Sequence, residues 1–241
     1  MKNHYILAKF PKTRPKLPLE YLKIYDEFYQ NNRKGKSIAT AMSSRLEKWM
    51  HKKVGSCLVK ENQKILEIGA GTLNHLPYEP KFLSYDIVEP FKDLYKGSKN
   101  ISLVNEKYRD ILEVPNSKKY DKIVSIAAFE HIVNLPEVMS SAGSLLSKDG
   151  KLCFAIPSEG TPLWRLAYLL TTGLEFRLKY RLNHTKLMKY EHINNVFEIN
   201  ALAKILFKDV KRKCFGLSNY LSFYQYFECA DYQSLINNPK S

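Results

Sequence analysis

Residues 64–72 read KILEIGAGT, an apolar, strand-forming run that passes straight into a turn holding Gly69 and Gly71. A buried strand that ends in glycines belongs at the carboxyl edge of a parallel sheet, where glycine lets the backbone come close to a ligand. Glu67 is the odd residue inside this run. Two readings stand for it. Carboxylates are rarely buried unpaired, so it belongs either to a salt bridge or to the support of the glycine turn, facing a cationic or hydroxyl-bearing ligand.

A Gly-x-Gly turn alone is a weak signal, and the next acid adds to it. Residues 82–90, FLSYDIVEP, read as a second strand that ends at Glu89 before Pro90, and Glu89 lies 20 residues after Gly69. That is about the ~20-residue spacing at which an acid accepts hydrogen bonds from a ribose in doubly wound nucleotide folds. Asp86 is the rival, at a shorter spacing and with strand-like residues still to follow.

Residues 66–72 (LEIGAGT) followed by Val88, Glu89 and Pro90 resemble the first two motifs of the class I S-adenosylmethionine (SAM)-dependent methyltransferases. Residues 74–80 (NHLPYEP) are similar to family members with a shortened first helix. The likeness spans about residues 61–160 and departs from the pattern at Leu73, which stands where the third glycine is usual. It implies an α/β fold with a seven-stranded doubly wound sheet, SAM as cofactor, and cofactor contacts from Glu67, Gly69, Ala70, Gly71 and Glu89. Residues 108–112 (YRDIL) resemble the family's acidic loop, which implies an adenine contact for Asp110 beside Ile111; a plain surface turn is the other reading.

Residues 120–132 (YDKIVSIAAFEHI) read as a strand that ends at small residues and turns through Phe129, Glu130 and His131. The resemblance implies that Ala128 and Phe129 line the methionine end and that His131 lies beside the sulfonium. His131 is equally a brace for the following helix. A second histidine, His192, sits where the chain leaves an insertion and returns over the sheet edge, with Glu191 or Glu130 to orient its ring. Its alternative role is to cap the next helix. SAM already carries an activated methyl group, so the enzyme's task is mostly alignment and exclusion of water. For an alcohol acceptor a base near neutral pH is useful, and histidine suits it. His131 and His192 are the catalytic candidates.

Around this centre the chain divides into an N-terminal arm and helical cap (1–60) and a Rossmann-like domain (61–241) with a lid insertion at about 158–189. Pro11 to Pro18 read as an extended arm. An amphipathic helix follows over 19–31 and a Ser37-capped helix runs to about Leu58, with Trp49 in the core. Ile101 to Asn105 read as the third strand, Pro136 to Leu146 as a helix, and Lys151 to Ile156 as the fifth strand after an Asp149-Gly150 turn. The insertion is helix-like, apolar and basic: core, lid, dimer surface or peripheral membrane contact. An Asn195-capped helix to about Phe207 and a hairpin of 211–217 with 221–229 complete the sheet.

The net charge of +14 raises the question of nucleic acid, and its distribution answers in part. Residues 1–60 carry +10, residues 61–160 carry −2 and residues 161–241 carry +6. The positive charge lies on the flanks, away from the expected cofactor edge, and its lysine-rich make-up, with much Asn, Ile and Tyr, is also what an A+T-rich genome produces. The resemblance implies a small molecule or glycan precursor as acceptor. An RNA methyltransferase using those flanks is the alternative, as is a SAM- or nucleotide-binding module without chemistry. Residues 190–194 (YEHIN) and Trp164 resemble methyltransferases of bacterial envelope-polysaccharide synthesis. The strand end at 127–130 lacks the Asn/Asp-Pro-Pro-aromatic run of base-amine methyltransferases and the Pro-Cys of cytosine C5 enzymes. Asn74 breaks the Gly-x-Gly-x-x-Gly of dinucleotide oxidoreductases. No paired metal-ligand spacing occurs, so no metal is expected. Four cysteines without paired spacing read as reduced thiols of a cytoplasmic protein, and the first residues lack the apolar run of a signal peptide.

Overall fold

The computed structural model describes residues 2–25 and 40–234. Its strands are β1 (Gln63–Ile68), β2 (Phe82–Val88), β3 (Lys107–Tyr108), β4 (Tyr120–Ile126), β5 (Leu146–Pro157), β6 (Phe207–Gly216) and β7 (Ser222–Tyr232). They form one sheet in the order β3-β2-β1-β4-β5-β7-β6. The first five are parallel, and β7 runs antiparallel between β5 and β6. The helices are α1 (Lys2–Leu7), α2 (Thr40–Gly55), α3 (Lys92–Tyr95), α4 (Leu135–Leu145), α5 (Pro162–Leu170), α6 (Thr172–Tyr180), α7 (His184–Glu191) and α8 (Val196–Leu206). None is long and apolar enough to cross a membrane.

Strand side chains alternate between faces, and the two cores follow from this. Leu66, Ile68, Val88, Ile123, Leu152 and Phe154 meet α4 and α8 on one face, together with Ile6 of α1. Ile65, Tyr85, Ile87, Val124 and Cys153 meet Met50 and Val54 of α2 on the other. Each such side chain, once fully buried, contributes roughly 1.5–3 kcal/mol. Helix starts are set locally. Pro136 stands at the first turn of α4, where its missing N–H costs nothing. Asn195 caps α8 by accepting from the Phe197 and Glu198 amides, while the Glu198 carboxylate accepts from the Asn195 amide.

Several sequence expectations change. Residues 101–103 form a 3₁₀ turn, and the third strand is the two-residue β3 farther along. A short apolar run does not distinguish strand from turn; pairing of Ile87 with Lys107 and Val88 with Tyr108 decides it. Strand β5 starts earlier than the Asp149-Gly150 signal suggests, because a register shift lets Leu146 pair with Tyr120 ahead of it. The insertion is three helices, α5 to α7, broken at Thr171 and at Arg181 with φ of 55°. Phe176 and Leu187 of the insertion bury Tyr21 in a satellite core, and the Tyr21 hydroxyl donates to the Asn183 carbonyl and accepts from its amide. Trp49 is half-buried and meets Phe215 edge-on at 5.6 Å. Helical expectations over 26–39, including the Ser37 cap, and the tail beyond 234 lie outside the described residues.

A buried ionic network fastens α2 to the sheet below the carboxyl edge. The Lys122 ammonium, inaccessible to solvent, donates to both oxygens of Glu79 at 2.7 Å. His75 bonds the same carboxylate at 2.7 Å and meets His51 of α2 at 3.1 Å. Breaking a buried pair from one side leaves a bare charge, at about 3–5 kcal/mol. Glu79→Gln should lose that much stability in urea unfolding, and adding Lys122→Met should recover most of it. A single variant as stable as the parent would remove this network from the account of the fold.

Candidate active site

The chain leaves β1 outward to β2 and β3, then returns on the other side of β1 to form β4. Between β1 and β4 lies the point where strand order reverses, the usual place for a ligand crevice. The turn after β1 takes left-handed backbone at Gly69 (φ 73°), Gly71 (φ 51°) and Leu73 (φ 64°). A β-carbon on Gly69 would lie 2.5 Å from Cβ of Ala128, whereas one on Gly71 would meet nothing within 4 Å. Gly69 is therefore required by packing, and Gly71 leaves open space beside the turn. Leu73, in place of a third glycine, accepts the strained backbone while its side chain is fully buried.

Glu89 follows directly on β2. Its Oε2 accepts from the Gly71 amide at 2.8 Å and its Oε1 from the Phe91 amide at 3.0 Å. A carboxylate has about four lone-pair sites, so two remain after the backbone is served. Asp86 is fully engaged elsewhere, with the Tyr120 hydroxyl at 2.7 Å, Lys118 at 2.9 Å and the Glu106 amide at 3.1 Å. Among the described residues Glu67 meets no cation: its partner is the Tyr85 hydroxyl at 2.7 Å. Burial pushes its carboxyl up to about 8, against the pull of the Tyr85 hydrogen bond. Asp110 is exposed and caps the 3₁₀ turn of Ile111–Glu113 through the Leu112 amide at 2.9 Å, with Ile111 buried in the core. Ala70 is buried beside the turn. Phe129, predicted at the methionine end, has its ring fully buried against Phe154 at 5.0 Å.

Residues 129–131 form a single 3₁₀ turn after β4, and here the two histidines come together. The rings of His131 and His192 meet edge-on with centroids 4.7 Å apart. His131 Nδ1 donates to the Glu191 carbonyl at 3.0 Å, and His192 Nδ1 bonds the Glu159 carboxyl at 2.5 Å. Burial lowers the pKa of both, and that of His192 falls to about 4. Burial also pushes the carboxyls of Glu130 up to about 7 and Glu159 up to about 8. His192 is the C-terminal cap of α7 and does not cap α8, where Asn195 does that work. Glu159, just past β5, is the ring's partner where Glu191 or Glu130 was expected.

The loop holding His192 is laced to the loop holding His131. The Ile193 and Asn194 amides donate to the Glu130 carbonyl at 2.9 and 3.1 Å. The Asn194 side-chain amide, in a residue 1 % exposed, donates to the Phe129 and Ile132 carbonyls at 2.8 and 2.7 Å. The N-terminal arm completes the lacing: Arg14 donates to the carbonyls of Tyr190 (2.5 Å), Glu191 (3.0 Å) and His131 (2.6 Å). Lys12 donates to the Ile193 carbonyl and to Glu198, both at 2.6 Å. Two cations of the basic flank thus have internal partners. Sequence reasoning missed Arg14, Lys12 and Glu159, because none carries a local signal, and it held Asn194 only as the end of the 190–194 motif, without its role in lacing the loops.

A family profile described as a methyltransferase domain matches residues 21–208. A malonyl-[acyl-carrier protein] O-methyltransferase of Ilyobacter polytropus is 30% identical over 183 residues, which are 72% of this chain and 62% of that protein. An uncharacterized methyltransferase of Mycobacterium tuberculosis is 29% identical over 97 residues, 39% of this chain and 49% of the relative. The chain therefore spans less than two thirds of the length of these curated relatives. Among solved structures, the plantazolicin methyltransferase BpumL in complex with S-adenosylhomocysteine superposes with a TM-score of 0.60 at 14% identity, over 95% of this chain and 98% of that one. A SAM-dependent methyltransferase of Thermotoga maritima gives 0.56 at 15% identity, over 87% and 97%. Likeness at these identities is a likeness of fold.

The Arg14 clamp has a direct test. Hydrogen bonds from a charged donor are worth about 1.5–3 kcal/mol each, so Arg14→Ala should loosen the laced loops without unfolding the sheet. Amide hydrogen exchange at Ile193 and Asn194 should speed up by at least about tenfold while β1 amides stay protected. Unchanged exchange at those two amides would show that Asn194 holds the loops without the arm.

Proposed function

This chain belongs to the SAM-dependent class I methyltransferases, and from its site we propose that it methylates a hydroxyl or carboxylate oxygen of a small molecule or glycan precursor. The observation that carries the reading is the meeting of His131 and His192, from loops 61 residues apart, at the same sheet edge as the Gly69–Leu73 turn and Glu89. The site suits the cofactor. Gly71 offers an open approach to backbone, and Glu89 has acceptor capacity left for a pair of ribose hydroxyls. SAM supplies a methyl group already activated on a sulfonium.

What remains for the protein is to seat the acceptor oxygen in line with that methyl and to handle its proton. His131 and His192, half-buried, are suited to receive an acceptor hydroxyl, with Glu159 fixing the orientation of the His192 ring. Oxygen as the methylated atom is also the chemistry named for the Ilyobacter relative. A hydroxyl is favoured over a carboxylate because a carboxylate needs no base, and the histidine pair would then have no task. The resemblance of residues 190–194 to envelope-polysaccharide enzymes supports a sugar hydroxyl. The exposed leucines of the insertion, Leu166, Leu169, Leu170, Leu174 and Leu178, support a lid or contact surface for a large or lipid-linked acceptor.

Two variants test the two halves of the reading. Glu89→Ala removes a charged acceptor from a buried ribose site and should weaken SAM binding at least about tenfold in titration calorimetry; undiminished affinity would displace Glu89 from that role. His192→Ala should leave SAM affinity intact and lower kcat by about a hundredfold or more, within the range of general-base contributions. The acceptor for that assay comes from mass spectrometry of surface glycans and small metabolites in cells with and without the protein. Turnover within a few-fold of the parent would make His192 structural.

A further inference from the structure

We propose that Glu130, His131 and His192 bind one divalent first-row transition-metal ion, and that the ion holds the acceptor oxygen. One ligand atom from each of the three lies within 4.8 Å of the other two. Ligand nitrogens and oxygens sit about 2.0–2.2 Å from such an ion, so small side-chain rotations bring all three into its sphere. The role given to the ion rests on the oxygen-acceptor reading above; its binding does not.

Two further observations point to a cation. The first is the way the imidazoles are held. Nδ1–H of His131 donates to the Glu191 carbonyl, and Nδ1 of His192 is fixed by the Glu159 carboxyl. Each ring therefore has its Nδ1 engaged, and Nε2 is the nitrogen left for the cluster. An outer acceptor on one nitrogen and a metal on the other is the usual second-shell arrangement of a metal-binding histidine. The second is Glu130. The residue is 2 % exposed, and its Oε2 has no hydrogen-bond partner. A buried carboxyl oxygen without a donor is costly, and among the described residues no lysine or arginine pairs with it. The nearby guanidinium of Arg14 is directed at three backbone carbonyls instead. A metal ion supplies the missing partner.

The ligand set narrows the ion. Two imidazoles and one carboxylate suit manganese, iron, cobalt or zinc, and are poor hosts for magnesium or calcium, which want oxygen. Three protein ligands leave positions open for substrate. An acceptor hydroxyl bound there has its pKa lowered by the ion. Its O–H bond breaks with the proton passing to water, because the two imidazoles serve as ligands of the ion in place of the base role given them above. The O–CH₃ bond then forms as the S–CH₃ bond breaks, and the sulfonium becomes a neutral thioether.

The test uses the full chain, stripped with a chelator and titrated calorimetrically with Mn²⁺, Co²⁺ and Zn²⁺ in the absence of SAM and acceptor. One ion per chain is expected. Glu130→Gln, nearly isosteric, should weaken binding at least about tenfold, and Glu159→Gln, acting only through His192, by about 10–100-fold. Urea unfolding of each variant verifies that it is folded. No stoichiometric binding by the parent overturns the proposal and leaves Glu130 a neutral member of a hydrogen-bonded cluster. Binding that is indifferent to both substitutions overturns it too, by moving the ion elsewhere. A chain that binds the ion but not SAM keeps the metal site and refutes the methyltransferase role. One that binds SAM and turns over without any ion keeps the role and refutes the site's part in it.

Discussion

A β-carbon on Gly69 would stand 2.5 Å from that of Ala128, and this closeness sets the distance between the turns that end β1 and β4. The two turns therefore lie in contact at the point where strand order reverses. The Gly69 amide donates to the Val88 carbonyl at 2.8 Å, and Ser125 donates to the Ile68 carbonyl at 3.0 Å. Strands β2, β1 and β4 thus end in a bonded row. Glu89 then closes the turn by accepting from Gly71. Its position is therefore a consequence of the sheet, with little freedom left to its side chain.

At the Phe129–His131 turn, geometry comes from lacing. The His131 and His192 loops share carbonyl acceptors, the buried Asn194 side chain and the Arg14 guanidinium. Buried peptide groups need partners, and here each loop satisfies the other. The arm residues that do this come from the most basic part of the chain, so part of the charge that suggests an RNA partner serves internal structure.

Buried carboxyls have contrasting treatment in this fold. Glu79 meets Lys122 and His75 in a closed ionic network, remote in role from the crevice. Glu67, Glu130 and Glu159 have no such cation, and burial raises the pKa of each. The structural acid Glu79 meets a lysine, whereas Glu67 meets a tyrosine hydroxyl, Glu159 an imidazole, and one oxygen of Glu130 nothing among the described residues. Groups held away from their ordinary ionisation belong to functional sites more often than to scaffolding.

What was legible in the sequence is what a few consecutive residues encode. The apolar run into Gly69, the twenty-residue step to Glu89, the Asn195 cap, and the alternating strands of the final hairpin are all local. Each follows from period, capping chemistry or backbone freedom. The third strand was misplaced because β3 exists only through its pairing with β2, and the insertion's three helices pack on Tyr21 of the N-terminal arm through Phe176 and Leu187, a contact no local pattern announces. Tertiary structure alone decided that Lys122 is a buried cation, that Arg14 clamps three carbonyls, that Glu159 orients His192, and that Glu130, His131 and His192 converge. The reason is tertiary: β4 and β5 lie side by side, so His131 and Glu159 after them are neighbours, and the three-helix insertion brings His192 back to both; no spacing along the chain records that meeting.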